Sequence, residues 1–219
     1  MKTATQLLIA AALAASALAS LPARADEGPF EVRLRALYIK PANNSDAVPA
    51  LGLPADQIEV SSKWAPDLDF EYFFTRSISS ELVLTYPQRH TVSVKGVGDL
   101  GTFKHLPPTL TVKYTLLPDG AFRPYIGIGV NLTLIMDVDI AVPAAVSPTG
   151  STLPLKLESS SFGAAGQAGF DFKFTDNWFG NVDVKYVQIR SDVKLTDGTK
   201  VSAVKVDPWL LGVGIGYRF

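Results

Sequence analysis

The last fifteen residues, Lys205 to Phe219 (KVDPWLLGVGIGYRF), constrain the fold more than any other stretch. From Trp209 on, every odd position is apolar: Trp209, Leu211, Val213, Ile215, Tyr217 and Phe219. Gly212, Gly214, Gly216 and Arg218 alternate with them. Period 2 makes one face of an extended strand continuously apolar and the other small or charged. A soluble sheet could use such a strand once. A membrane barrel needs it in every strand, because one face meets lipid and the other a lumen.

The alternation recurs seven more times. Phe30, Val32, Leu34, Ala36 and Tyr38 oppose Glu31, Arg33 and Arg35. Trp64, Leu68, Phe70, Tyr72 and Phe74 oppose Asp67, Asp69 and Glu71. Runs from Ile78, Leu110, Ile126, Phe162 and Trp178 repeat the pattern, with Glu81, Lys113, Asn131, Asp171, Lys173, Asp183 and Lys185 on their polar faces. Eight such strands fit the even number of single-chain bacterial barrels. Tight turns at Thr75–Ser77, Pro118–Ala121 and Thr175–Asn177 alternate with long connections at Ala42–Gln57, Gln88–Leu106, Asp139–Leu157 and Ser191–Val204. The expected fold is an all-β, eight-stranded antiparallel transmembrane barrel with short periplasmic turns and long extracellular loops. Aromatic residues near strand ends (Phe30, Tyr38, Trp64, Phe74, Tyr86, Tyr125, Phe162, Trp178, Tyr186, Trp209, Tyr217, Phe219) are read as two interfacial girdles.

The N-terminus reads as an address. Lys2, an apolar run from Leu7 to Ala19 and Ala23-Arg24-Ala25 form a secretory signal with cleavage after Ala25. Residues 26–219 then make one barrel domain in the outer membrane of a Gram-negative bacterium. Without Lys2 and Arg24, 18 basic residues face 21 acidic ones, with both signs interspersed. That pattern gives nucleic acid no basic face. The chain has no cysteine, so thiolate metal sites and disulfides are excluded. His90 and His105 flank one long connection without a placed carboxylate, a weak metal set. No cofactor is expected.

Several blocks resemble the outer-membrane protein W (OmpW) family and its AlkL-type and OprG-type relatives. They are Lys104-His105-Leu106-Pro107-Pro108-Thr109-Leu110, Phe122-Arg123-Pro124-Tyr125-Ile126-Gly127, Gly163-Ala164-Ala165-Gly166-Gln167-Ala168-Gly169, and Asp207-Pro208-Trp209 through Tyr217-Arg218-Phe219. Arg89-His90 after Pro87 fits the same pattern. The resemblance implies an outer-membrane barrel that passes small, mostly hydrophobic molecules, closed toward the periplasm and opening sideways through its wall. The segments Asn43–Gln57 and Asp139–Leu157 follow no motif of that family.

Three candidate sites follow. Eight strands enclose room for side chains rather than an open pore. The inward charges (Glu31, Arg33, Arg35, Asp67, Asp69, Glu71, Glu81, Lys113, Asp171, Lys173, Asp183, Lys185 and Arg218) are expected to pair as a luminal plug. Above it, Leu37, Ile39, Val60, Leu106, Met136 and Val138 are expected to line an apolar funnel, rimmed by Leu51, Leu53 and Ile140. Pro87, Pro107 and Pro108 lack N–H donors and mark a candidate lateral gate. Expected partners are membrane lipid, small hydrophobic solutes and, through the Phe219 strand, the barrel-assembly machinery. The competing reading is a surface receptor or adhesion barrel whose loops bind a partner. No nucleophile with a positioned base marks an enzyme.

Overall fold

The computed structural model describes residues 28–48, 54–147 and 149–219. The proposed leader and the rim residues Leu51 and Leu53 lie outside the described residues. In chain order the strands are β1 (Phe30–Lys40), β2 (Asn44–Ser45), β3 (Ile58–Val60), β4 (Lys63–Phe73) and β5 (Ile78–Thr85). Next come β6 (Gln88–Val94), β7 (Gly98–Leu106), β8 (Thr109–Thr115), β9 (Phe122–Val142) and β10 (Leu153–Leu157). β11 (Ser160–Lys173), β12 (Trp178–Val187), β13 (Arg190–Leu195), β14 (Lys200–Lys205) and β15 (Trp209–Arg218) complete the set.

Eight of them close a ring of antiparallel pairs, β1–β4–β5–β8–β9–β11–β12–β15, with β15 returning to β1. Closure leaves no free sheet edge, so the backbone ladder is satisfied within the ring without water except at the one seam described below. The exterior is apolar: Ile128 is 77% exposed, Ile126 56% and Val213 51%. That band has no place in water and fits hydrocarbon. At the turn end Trp178 packs edge-on against Tyr217 and Phe30 lies tilted against Tyr72, with centroids 5.1 and 5.0 Å apart. At the opposite end Tyr38–Trp64 and Tyr186–Trp209 pair at 5.1 and 5.2 Å. These are the two girdles. Tyr125 is not among them: it is 1% exposed, turned into the lumen between Arg123 and Gly127 by the period of β9.

The long connections carry strands among their described residues. β6 and β7 form a hairpin that pairs with β3 and the upper half of β9, and β10, β13, β14 and β2 continue around. Asparagine and aspartate close this second tier. Ser45 N–H donates to Asp56 Oδ1 at 3.0 Å, Val60 N–H to Asn43 Oδ1 at 2.9 Å, and Ile189 N–H to Asp207 Oδ1 at 2.9 Å. Asn43, Asp56 and Asp207 all have positive φ, which these two residue types tolerate best after glycine. β9 runs through both tiers. Its 21 residues are about twice what a tilted strand needs to cross a bilayer, so its upper half stands clear of the membrane. Between Val142 and Leu153 the described residues include a short 3-10 turn, Ala144–Val146.

Candidate transport path

Inside the lower tier, register dictates charge pairing. Period 2 points Glu31, Arg33 and Arg35 inward on β1, and antiparallel pairing sets them opposite Glu71, Asp69 and Asp67 on β4. Arg33 is fully buried; its guanidinium binds Glu31, Glu71 and, at 2.8 Å, Glu81, with Asp171 at 3.4 Å. Arg35 contacts Asp67 at 2.6 Å, Asp69 at 2.9 Å and Asp183 at 3.0 Å. Lys113 reaches Glu71 and Glu81 at 2.8 and 3.1 Å, and Lys185 reaches Glu81 at 2.8 Å. Asn181 ties Asp171 to the Tyr125 hydroxyl, over whose ring Lys113 Nζ sits at 3.8 Å. Arg218 lies at the turn end, its Nε donating to the Gly28 carbonyl and its head stacked on Phe73. Lys173 is there too, a quarter exposed and paired with Asp176 at 3.3 Å. A linked ionic network thus fills the membrane-spanning lumen. Ions that have lost their water persist only with such partners.

The upper tier inverts this chemistry. Its interior is an apolar cluster that includes Leu37, Ile39 and Val60, with Val138 half-buried against it. A narrow cavity of about 50 Å³ opens in it, lined by Val60, Val92, Phe103, Ile135, Ile140, Val193 and Val206, with His105 and Thr133 at its lower end. Leu106 and Met136 do not line it. They are half-buried, and Phe103, His105 and Ile135 hold the inward positions. Alternation alone gives this: Ile135 continues the inward set of Asn131 and Thr133, and Phe103 and His105 share one face of β7, so Leu106 and Met136 fall on the other. Only beyond Asp137, which has positive φ, does a register shift opposite Thr102–Lys104 bring Ile140 and Val142 inward. Burial pushes the pKa of His105 down to about 3, helped by His90 and Lys63 beside it, and lowers that of His90 as well. Both rings are neutral in this apolar setting.

Where the tiers meet, one seam of the wall is unlaced. β5 and β8 pair up to Val83–Thr109, and β6 and β7 resume at Gln88–His105. Leu84–Pro87 and Leu106–Pro108 lie between, half-buried or exposed, with no backbone hydrogen bond across them among the described residues. Prolines 87, 107 and 108 therefore bracket one break. On the other flank of Tyr86, pairing to β4 stops at Asp67–Thr85 near a further proline, Pro66. From inside, Asn131 Nδ2 caps the Pro107 and Pro108 carbonyls at 3.2 and 3.1 Å, and Gln88 Nε2 caps Tyr86 at 2.9 Å. The sequence pattern places Asn131 on the inward face of its strand but not at the seam. Only the proline count around one seam points to Pro66, and nothing in the sequence marks Gln88.

Comparison with known proteins agrees with this architecture. Residues 26–219 match the OmpW family. Outer membrane protein W of Vibrio cholerae is 34% identical over 216 residues, covering 93% of this chain and 95% of its own length. The crystal structure of the outer membrane protein OprG from Pseudomonas aeruginosa superposes with a TM-score of 0.74 at 31% identity, over 89% of this chain and 97% of that one. AlkL, solved in lipid bilayers, shares the fold with a TM-score of 0.69 at 22% identity, over 91% and 95% of the two chains. Relatives named as outer-membrane proteins, a closed ring and an apolar belt place the molecule in the outer membrane, with the architecture of a channel or transporter. The chain belongs to the OmpW family of outer-membrane β-barrel proteins.

Proposed function

We propose that the protein carries small, mostly hydrophobic molecules from outside into the outer membrane, through the upper cavity and out sideways at the proline-bracketed seam. One juxtaposition carries the reading. The apolar cavity ends downward at His105 and Thr133, the seam begins beside them, and the ionic network lies below. An apolar solute gains about 25 cal/mol for each Å² it buries in the cavity. Continuing down the axis would require it to displace paired charges, whereas the seam leads to hydrocarbon. Thr133 Oγ1 donates to Asn131 Oδ1 at 2.6 Å, so a short polar bracket separates cavity from seam. Val60 lines the cavity with Phe103, Ile135 and Ile140, Leu37, Ile39 and Val138 belong to the apolar cluster around it, and Pro87, Pro107 and Pro108 hold the exit open.

The test is entry of a solute panel (alkanes, aromatics, steroids and small amino acids) into lipid vesicles with and without the refolded protein. Apolar members should enter faster with protein and the amino acids should not. Equal rates with and without protein would refute transport and favour the receptor reading.

A further inference from the structure

We propose that the inner wall beside the seam is a recognition site for a head group that donates hydrogen bonds, an alcohol or primary amide on an apolar tail. The inference rests on the lateral path above and specifies its cargo. Gln88 and His90 are fully buried, and Gln88 Oε1 and His90 Nε2 have no hydrogen-bond partner. Thr85 Oγ1, the preceding inward group on the same stretch of chain, is likewise buried and unpaired. Buried polar atoms are rarely left so, and three in succession beside the seam, with Gln88 paired to His105 and His90 stacked on it at the lower end of the cavity, point to something that belongs there. The unpaired carboxylate oxygens of the plug differ, because their residues sit within ion pairs.

The chemistry of the missing partner can be read from the committed ends. Gln88 Nε2 donates to the Tyr86 carbonyl, so its free oxygen can only accept. His90 Nδ1 lies 2.7 Å from the Ser61 carbonyl and must donate to it, so in the neutral ring Nε2 presents a lone pair. His105 stacks on that ring at 4.7 Å and 15°, with Phe103 at 5.9 Å, which fixes the plane of the imidazole. The site therefore offers two acceptors and one hydroxyl. A ligand O–H or N–H₂ fits them and can accept from Thr85 in return. An ionised carboxylate brings only acceptors against two lone pairs, and the nearby cation, Lys63, is engaged at 3.1 Å by the Arg89 carbonyl.

The experiment uses the full barrel in lipid nanodiscs with octane, 1-octanol, octanamide and octanoate at pH 8, reading the ¹⁵N resonance of His90 Nε2. We expect 1-octanol and octanamide to shift that resonance and to bind about tenfold more tightly than octane or octanoate, the loss of one net hydrogen bond. Gln88→Leu should erase the preference, and His90→Phe, which keeps a stacked ring, should weaken it. Equal affinity for octane and 1-octanol, or a preference unchanged in Gln88→Leu, would overturn the proposal and leave water as the partner of these atoms. In that case octane entering the cavity would leave the lateral path standing. If none of the four ligands perturbs the cavity resonances, the path falls with the site.

Discussion

The two tiers of this barrel share one chain, one sheet and one alternating pattern, yet they are turned inside out relative to each other. Below the outer girdle the interior is ionic and the exterior apolar; above it Leu37, Ile39, Val60, Val92 and Ile140 are inside, and charged residues such as Asp139 and Lys205 face outward. β9 shows the reversal in a single strand. Ile126, Ile128 and Val130 face out while Asn131 and Thr133 face in; beyond the bulge at Asp137, Ile140 and Val142 are buried. A strand's hydrophobic face points away from whichever side is wet. In the lower tier the outside is lipid and the inside polar. In the upper tier the outside is water, so a barrel of ordinary soluble polarity results. Cargo that prefers the second interior meets the first as a barrier.

The largest way to break this contrast is to unbalance the plug. Arg33→Met leaves Glu31, Glu71, Glu81 and Asp171 without their shared cation, and removing one member of a buried pair costs about 3–5 kcal/mol. The urea midpoint of protein refolded into vesicles should fall accordingly. A smaller effect on folding but a large one on traffic follows from carrying the lower tier's chemistry upward. Ile135→Asp places a charge in the apolar cavity and should cut solute flux by roughly tenfold or more. The barrel should still migrate as folded in gels until boiled.

The pH response sharpens the comparison. His105 titrates near 6.5 when unfolded and at about 3 when folded. Between those values the unfolded state holds more protons, so stability rises with pH there and is lost as pH falls through that window. The upper tier should loosen first in acid. Protection of the β6 and β7 amides, measured against their intrinsic exchange rates, should fall below pH 6.5, and His105→Phe should flatten the response. The smallest expected effect is at the exposed ion pair between the turns, Arg76 and Asp119 at 2.8 Å. Arg76→Ala should leave both the urea midpoint and flux unchanged, as is usual for solvent-screened pairs.

Much of the lower tier was legible in the sequence because lipid on one side and a lumen on the other force strict alternation for about ten residues at a time. The pairing of Glu31, Arg33 and Arg35 with Glu71, Asp69 and Asp67 follows from that period plus antiparallel register. What alternation cannot carry is a change of parity. One inserted residue beyond Met136 flips the later side chains of β9, which puts Ile140 and Val142 inside; Leu106 and Met136, suggested by their place near strand ends, lie on the outer parity, and Phe103, His105 and Ile135 are inside. The short strands of the second tier read as loops because Gly, Pro, Ser and Thr interrupt them, and their pairing comes from tertiary context such as Asn43 and Asp56 capping. Tyr125 reads as a girdle ring from its place near a strand start, whereas its parity on β9 turns it inward.

The most direct test of the central claim is flux of an apolar fluorophore into vesicles carrying a Pro107→Val/Pro108→Thr variant that remains folded. Restored donors should lace β7–β8 to β5–β6 and lower flux several-fold while the ionic network stays intact. Flux equal to that of the unaltered barrel would contradict lateral exit at this seam.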